Sequence, residues 1–128
     1  MKTQNKILVK NVKELENAIE TAMLEEIKES GFWLDEGYSS ESILQYLNDY
    51  IEIDEEIDED LYYELQDEMF STYDNNRSKI ADKHKLKKLT DGSGEGTDIY
   101  YYKTIEGRRV AQAIIRYNKQ LAKELKTR

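Results

Sequence analysis

The sequence contains no cysteine and only one histidine, His84. The absence of cysteine excludes a disulfide framework, a thiolate zinc site and a cysteine nucleophile, and it suits a reducing compartment. A lone histidine between Lys83 and Lys85 forms no metal site unless several carboxylates fold onto it. It also leaves little basis for a Ser/His/Asp arrangement, and the chain has no phosphate-binding glycine loop of the Walker type. We therefore predict that the protein is not an enzyme and has no catalytic residues, metal site or cofactor.

Two weaker patterns do not change that prediction. The segment 91–98 (DGSGEGTD) has the first ligand positions of a calcium loop, but Tyr102 stands where a bidentate glutamate is needed. Asp98 and Glu106 with Arg108 resemble part of a metal-dependent nuclease site, but such sites usually place a lysine where Arg108 stands. We interpret 91–98 as a hairpin turn, since its glycines relieve the steric limit on φ.

Long hydrophobic runs are also missing, and so is proline. No apolar stretch approaches the roughly 18 residues of a membrane span, and residues 1–6 lead into no signal-peptide core. We therefore predict a cytoplasmic protein with no membrane partner.

Positive charge is absent from a long central part of the chain. No Lys or Arg occurs between Lys28 and Arg77, a gap of 48 residues. Residues 1–75 carry 21 acidic and 5 basic side chains, whereas residues 76–128 carry 6 acidic and 14 basic ones. The two halves therefore have charges of −16 and +8, which sum to the net charge of −8. Such polarity bears on partners and association, not on the fold.

Apolar spacing and turn residues predict a helix-rich α+β fold with about four helices and a small antiparallel sheet. At 128 residues we expect a single domain, with an acidic helical part at about 11–75 and a basic part at about 76–128. The segment 78–90 fits either a helix or a strand. The chain is predicted to begin with a strand at 6–10 and a helix capped by Asn11 and ended by Gly31. A second helix is predicted from Ser39 or Ser40 to Ile51, and a third from about Asp54 to Tyr73, ended by residues 74–76. A turn at 91–98, a strand at 99–105 and a helix at 107–126 complete the predicted elements.

The acidic charge is concentrated in residues 52–60 (EIDEEIDED), which hold seven carboxylates. On the predicted third helix, Ile57, Leu61, Leu65 and Met69 lie on one side. Glu56, Asp60, Glu64 and Asp67 then form a stripe on the other side, with helical spacing and with Tyr63 among them. The candidate partner-binding residues are Glu52, Asp54, Glu55, Glu56, Asp58, Glu59, Asp60, Tyr63, Glu64 and Asp67.

A row of carboxylates can substitute for the phosphates of DNA in a positively charged groove. Duplex DNA carries one negative charge per roughly 1.7 Å of its axis, and proteins that bind DNA supply Lys and Arg to match. Carboxylates at i and i+4 of a helix are spaced by about 6 Å along the axis, on the scale of a few phosphate steps. Tyrosines in the acidic half would add flat contact area.

The chain resembles the small phage and mobile-element proteins that inhibit host defence, including anti-CRISPR and antirestriction proteins that mimic DNA. The resemblance lies in residues 35–68 and in the acidic, cysteine-free, tyrosine-rich composition. No family motif is matched, so no family residue is carried over. The resemblance implies a cytoplasmic inhibitor in a host bacterial cell, with a basic nucleic-acid-binding partner such as a CRISPR effector or restriction enzyme.

Other interpretations remain open. The acidic face can be a solvated surface that only maintains solubility. The acidic and basic halves of neighbouring copies can pair, which would indicate a phage structural or assembly protein, and a homodimer is also possible. Direct nucleic-acid binding through residues 83–88 and 108–116 is not expected, because the net field of the chain repels phosphate.

Overall fold

The computed structural model describes residues 6–36, 40–92 and 96–126. Within these residues four helices and a three-stranded antiparallel sheet confirm the predicted helix-rich α+β fold. The elements are β1 (Ile7–Val9), α1 (Val12–Ser30), β2 (Phe32–Asp35), α2 (Ser40–Tyr50), β3 (Ile51–Ile53), α3 (Glu59–Lys83), β4 (Lys87–Asp91), β5 (Asp98–Tyr102) and α4 (Ile105–Lys126).

Helix α1 begins and ends where its cap residues predict. The Asn11 side chain accepts a hydrogen bond from the Glu14 amide at 2.9 Å, and the Glu14 carboxylate accepts one from the Lys10 amide at 2.8 Å. Gly31 ends the helix at φ 94°, a left-handed conformation that glycine adopts without a steric penalty, and its amide donates to the Ile27 carbonyl.

Strand β3 was not predicted, and its presence corrects two predicted helices. It pairs in parallel with β1, with Ile7 opposite Ile51 and Val9 opposite Ile53. Ile51 and Ile53 are buried and Glu52 is exposed, the alternation of a strand with one face on the core. The second helix therefore ends at Tyr50 and not at Ile51. The third helix begins at Glu59, because residues 51–53 find a strand partner far away in the sequence.

The antiparallel sheet has the strand order β2-β5-β4, and its two faces pack against different helices. Trp33 lies opposite Tyr101, and both belong to the main core with residues of α1, α2 and α3. Leu34 lies opposite Tyr100, and these two belong to a second, smaller core with Ala111 and Ile115 of α4. Tyr101 therefore faces away from Tyr100, and the sheet lies between α4 and the main core.

A buried polar chain links the sheet to α3. The Trp33 indole N–H donates to the Tyr73 hydroxyl, which donates to the Asp35 carboxylate, each at 2.9 Å. Arg77 forms an ion pair with the same carboxylate. Asp35 is the buried last residue of β2.

Helix α3 continues beyond its predicted end at residues 74–76. Asp74 and Asn75 are exposed, so they add no unfavourable burial, while Ile80 and Ala81 extend the buried side. Packing therefore overrides the local tendency of these polar residues to end a helix. The ambiguous segment 78–90 divides into the last turns of α3 and strand β4, with Lys85 at φ 56° between them.

Helix α4 packs closely against the end of α1. A Cβ on Gly107 would overlap the Gly31 carbonyl oxygen, so glycine is required at 107 for this approach. The buried residues of α4 are Gly107, Ala111 and Ile115. Among the residues that the structure describes, no helix combines the length and hydrophobicity that a membrane crossing requires.

Candidate protein-interaction site

Strand β3, the first two turns of α3 and the segment between them carry the candidate residues. We call their acidic side chains, together with Tyr63, the acidic ridge. Apart from half-buried Asp54, every member is exposed. The members are Glu52, Asp54, Glu55, Glu56, Asp58, Glu59, Asp60, Tyr63, Glu64 and Asp67.

Local hydrogen bonds fix the backbone of the ridge before α3 begins. The Asp54 amide donates to the Val9 carbonyl at 2.9 Å, which ties the end of β3 to β1. The Asp54 carboxylate accepts from the Glu56 amide, also at 2.9 Å, and closes a tight turn. Asp58 then caps α3 by accepting from the Leu61 amide at 3.2 Å.

The ridge therefore does not form a single helical stripe as predicted. Glu56 lies in the turn before α3, so only Asp60, Glu64 and Asp67 share the helical spacing. Glu59 and Asp60 occupy the first turn of the helix, where the partial positive charge of the helix N-terminus stabilises them.

The ridge carboxylates are not neutralised from within the molecule. In residues 6–36, 40–92 and 96–126, no ridge carboxylate forms an ion pair. Lys6 lines a cavity together with Glu52 and Glu55, but it forms an ion pair with neither. Other basic residues lie farther away: Lys87 and Lys88 are exposed on β4, and Arg108, Arg109 and Arg116 are exposed on α4. Lys83 pairs with Glu20 of α1 at 2.9 Å. The ridge charge is therefore available to an external partner.

Glu20 is the carboxylate with the most cationic surroundings among those described. His84 approaches it to 2.5 Å and Lys83 to 2.9 Å, and their hydrogen bonds hold the pKa of Glu20 below its usual value. This half-buried contact joins α1 to the end of α3, and none of its three residues belongs to the ridge. The contact of His84 with Glu20 is therefore structural.

Two shallow cavities on the ridge have apolar walls and acidic rims. One, of about 400 Å³, is lined by Glu55, Ile57, Glu59, Tyr62 and Tyr63. The other, also about 400 Å³, is lined by Glu52 and Glu55, by apolar residues such as Leu44 and Met69, and by Lys6 of this chain. A lysine or arginine side chain has the matching chemistry, an aliphatic stem with a cationic end, and it also interacts favourably with a tyrosine ring.

The tyrosines of the acidic half divide between core and surface. Tyr46 packs beside Trp33 with ring centroids 5.8 Å apart, and the Tyr50 hydroxyl donates to Glu26 at 2.8 Å. Tyr62 is half-buried and meets Tyr63 edge to face at 5.5 Å, leaving Tyr63 53% exposed. Tyr38 lies outside the described residues. Tyr63 and the edge of Tyr62 are thus the aromatic surface of the ridge.

Sequence patterns missed the cavities because they depend on β3 and on its packing against α3. Ile57 was expected on the buried side of a helix; it is a half-buried residue of the turn and forms a cavity wall. The alternation Ile-Glu-Ile at 51–53 is typical of a strand, but three residues are too few to distinguish a strand from a helix that contains the same isoleucines.

No protein-family model matches this chain, and no curated protein or solved structure matches it either.

Proposed function

We propose that the protein binds and inhibits a nucleic-acid-handling protein by presenting the acidic ridge in place of DNA. The supporting observation is the arrangement of nine carboxylates on a hydrogen-bonded framework, with no cation paired to them in the described part of the chain. In the free protein, water solvates these carboxylates. A partner groove rich in Lys and Arg would form ion pairs with them.

The expected partner class is a basic protein such as a CRISPR effector or a restriction enzyme, in the cytoplasm of a bacterial host. The cavities beside Tyr62 and Tyr63 would accept basic side chains of the partner, while the carboxylates would occupy phosphate positions. No catalytic residue, metal or cofactor is part of this mechanism.

The test compares partner capture by the wild type and by a triple variant, Glu56→Gln, Asp60→Asn and Asp67→Asn. We expect the triple variant to lose roughly tenfold or more in affinity, since each affected ion pair is worth a fraction of a kcal/mol to several kcal/mol. DNA should compete with the wild type for the partner. Binding should also weaken steeply between about 50 and 200 mM salt.

A matched control neutralises three exposed carboxylates outside the ridge: Glu25→Gln, Glu41→Gln and Asp82→Asn. It changes the net charge equally, so unchanged binding would assign the effect to the ridge and not to total charge. If the ridge variant bound its partner as tightly as the wild type, DNA mimicry by the ridge would be wrong.

The separation of acidic ridge and basic α4 supports a second hypothesis, in which these surfaces of neighbouring copies pair during assembly. Such oligomers would dissociate as salt is added, and the triple variant would remain monomeric. Light scattering at low and high salt distinguishes this assembly from the inhibitor.

A further inference from the structure

Helix α4 carries an apolar stripe that the described part of the molecule leaves largely exposed. We call its members the α4 stripe: Val110, Ile114, Tyr117, Leu121 and Leu125. Tyr117 is 65% exposed, Leu125 61%, Val110 43% and Leu121 41%, and Ile114 is half-buried. A neighbouring set of residues attaches the helix to the rest of the molecule: Ala111 and Ile115 pack on the sheet, and Gly107 packs against the end of α1.

The spacing of the stripe matches that of a helix that pairs with another helix. Val110, Ile114, Tyr117 and Leu121 follow one another at intervals of four, three and four residues, which is the alternation of a coiled-coil seam. These residues span about 16 Å along the axis, and Leu125 extends the stripe by one further turn. Because the pattern is repetitive, the stripe is complementary to a copy of itself.

If two α4 helices paired along the stripe, the basic side chains of α4 would remain exposed to water. The helix has six basic and two acidic residues. At about 100° per residue, all six basic residues lie about 120° or more around the axis from the centre of the stripe. Only Glu106 and Glu124 border it. An anionic membrane or nucleic acid would need basic residues beside the apolar ones, whereas a second copy needs them to be absent from the seam.

We infer that a second copy of this chain covers the α4 stripe, through an antiparallel pair of α4 helices with a two-fold axis near Tyr117. In this register Val110 meets Leu125 of the partner copy and Ile114 meets Leu121. The two helix dipoles are opposed, which is favourable. Such an isologous contact closes on itself as a dimer.

The dimer would leave both acidic ridges accessible, because the sheet lies between α4 and the main core to which α3 belongs. The inference does not rest on the proposed function, and its test needs no partner protein. If both proposals hold, each assembly presents two ridges.

The first experiment measures the dimer dissociation constant by sedimentation equilibrium from low to high micromolar protein, at low and high salt. We expect a dimer that persists at high salt, because the seam is apolar. Leu121→Glu should raise the dissociation constant roughly tenfold or more. Lys119→Gln changes the net charge by the same one unit on the opposite side of α4, and should leave the constant unchanged.

Leu121 is 41% exposed and belongs to neither core, so the variant is expected to fold, which circular dichroism would check. A monomeric wild type at every concentration would overturn the inference. So would a dimer that Leu121→Glu does not weaken, or an oligomer that salt dissociates.

A second experiment tests the antiparallel register and exploits the absence of cysteine from the chain. Tyr117→Cys places one thiol beside the two-fold axis, whereas Lys119→Cys places it on the outer side. Under mild oxidation at dimer-forming concentrations, we expect the first variant to form a disulfide-linked dimer and the second to remain mostly unlinked. Equal linking of both variants would contradict this register.

Discussion

At the scale of single residues, Tyr73 connects strand β2 to helix α3. Its hydroxyl accepts from Trp33 and donates to Asp35, and its ring lies 5.9 Å from the indole ring of Trp33. Burial raises the pKa of Tyr73 far above its usual value, and the nearby charge of Asp35 raises it further. The hydroxyl therefore keeps its proton, and with it the role of donor to Asp35.

Replacing Tyr73 with phenylalanine should destabilise the protein by about 1 to 3 kcal/mol, because the buried Trp33 N–H then has no acceptor. The measurement is the midpoint of urea unfolding. Tyr63→Phe removes a hydroxyl from the exposed ridge, and should change the stability by less than about 0.5 kcal/mol. Equal stability of the Tyr73 variant and the wild type would show that this polar chain contributes little.

At the scale of elements, the start of α3 shows how capping and charge act at one position. Asp58 contributes a carboxylate to the ridge and also caps the helix through the Leu61 amide. The first role needs negative charge, whereas the second needs only a side-chain oxygen that accepts a hydrogen bond.

Asp58→Ala should therefore reduce stability by about 1 kcal/mol, while Asp58→Asn should reduce it far less, because asparagine caps as well as aspartate. Thermal unfolding of the two variants distinguishes these outcomes. Glu56→Ala is the control for charge alone, since its carboxylate caps nothing in the described structure. Equal losses from Asp58→Ala and Asp58→Asn would show that charge, not capping, stabilises this helix end.

Elements with local signals at both ends could be predicted from the sequence. Asn11 and Gly31 bound α1 correctly because a cap depends on only a few neighbouring residues. Strand β3 could not be recognised, since Ile53 and Ile57 also have helical spacing and the decisive partner, β1, lies more than forty residues away.

The face of α4 that packs on the sheet could not be predicted from the sequence either. The large apolar residues of its stripe are the more obvious hydrophobic side, yet Ala111 and Ile115 pack on the sheet and Gly107 packs against the end of α1. Close approach to Gly31 favours small residues there, and this requirement comes from the packing of two distant segments. For the candidate site, the sequence located the carboxylates, but the turn that arranges them depends on β3.

At the scale of the whole molecule, the antiparallel sheet lies between the acidic ridge and the basic residues of α4. The ridge lies with α1 and α3 on one side, and the six basic residues of α4 lie on the other. The ridge carboxylates repel one another, as Asp60 and Glu64 do at i and i+4, and in the described part of the chain no cation forms an ion pair with them. Each such pair destabilises a helix by a few tenths of a kcal/mol.

Adding salt should consequently stabilise the protein, because it screens this repulsion. We expect the urea midpoint to rise between about 0.05 and 0.5 M sodium chloride. The rise should be smaller in the triple variant Glu56→Gln, Asp60→Asn and Asp67→Asn, which should be at least as stable as the wild type at low salt. A midpoint that falls with salt would mean that attractive pairs dominate the electrostatics.

The division into two cores also has a consequence for motion. Helix α4 is held by Ala111 and Ile115 in the smaller core, by Gly107 against the end of α1, and by a hydrogen bond from Asn118 to Asp91 at 3.2 Å, among other contacts. Local unfolding of α4 exposes the smaller core and the end of α1, and leaves the packing among α1, α2 and α3 intact. In the monomer, amide protons of the last turns of α4 should therefore exchange with solvent well before those of α1, and a second copy on the stripe would slow that exchange.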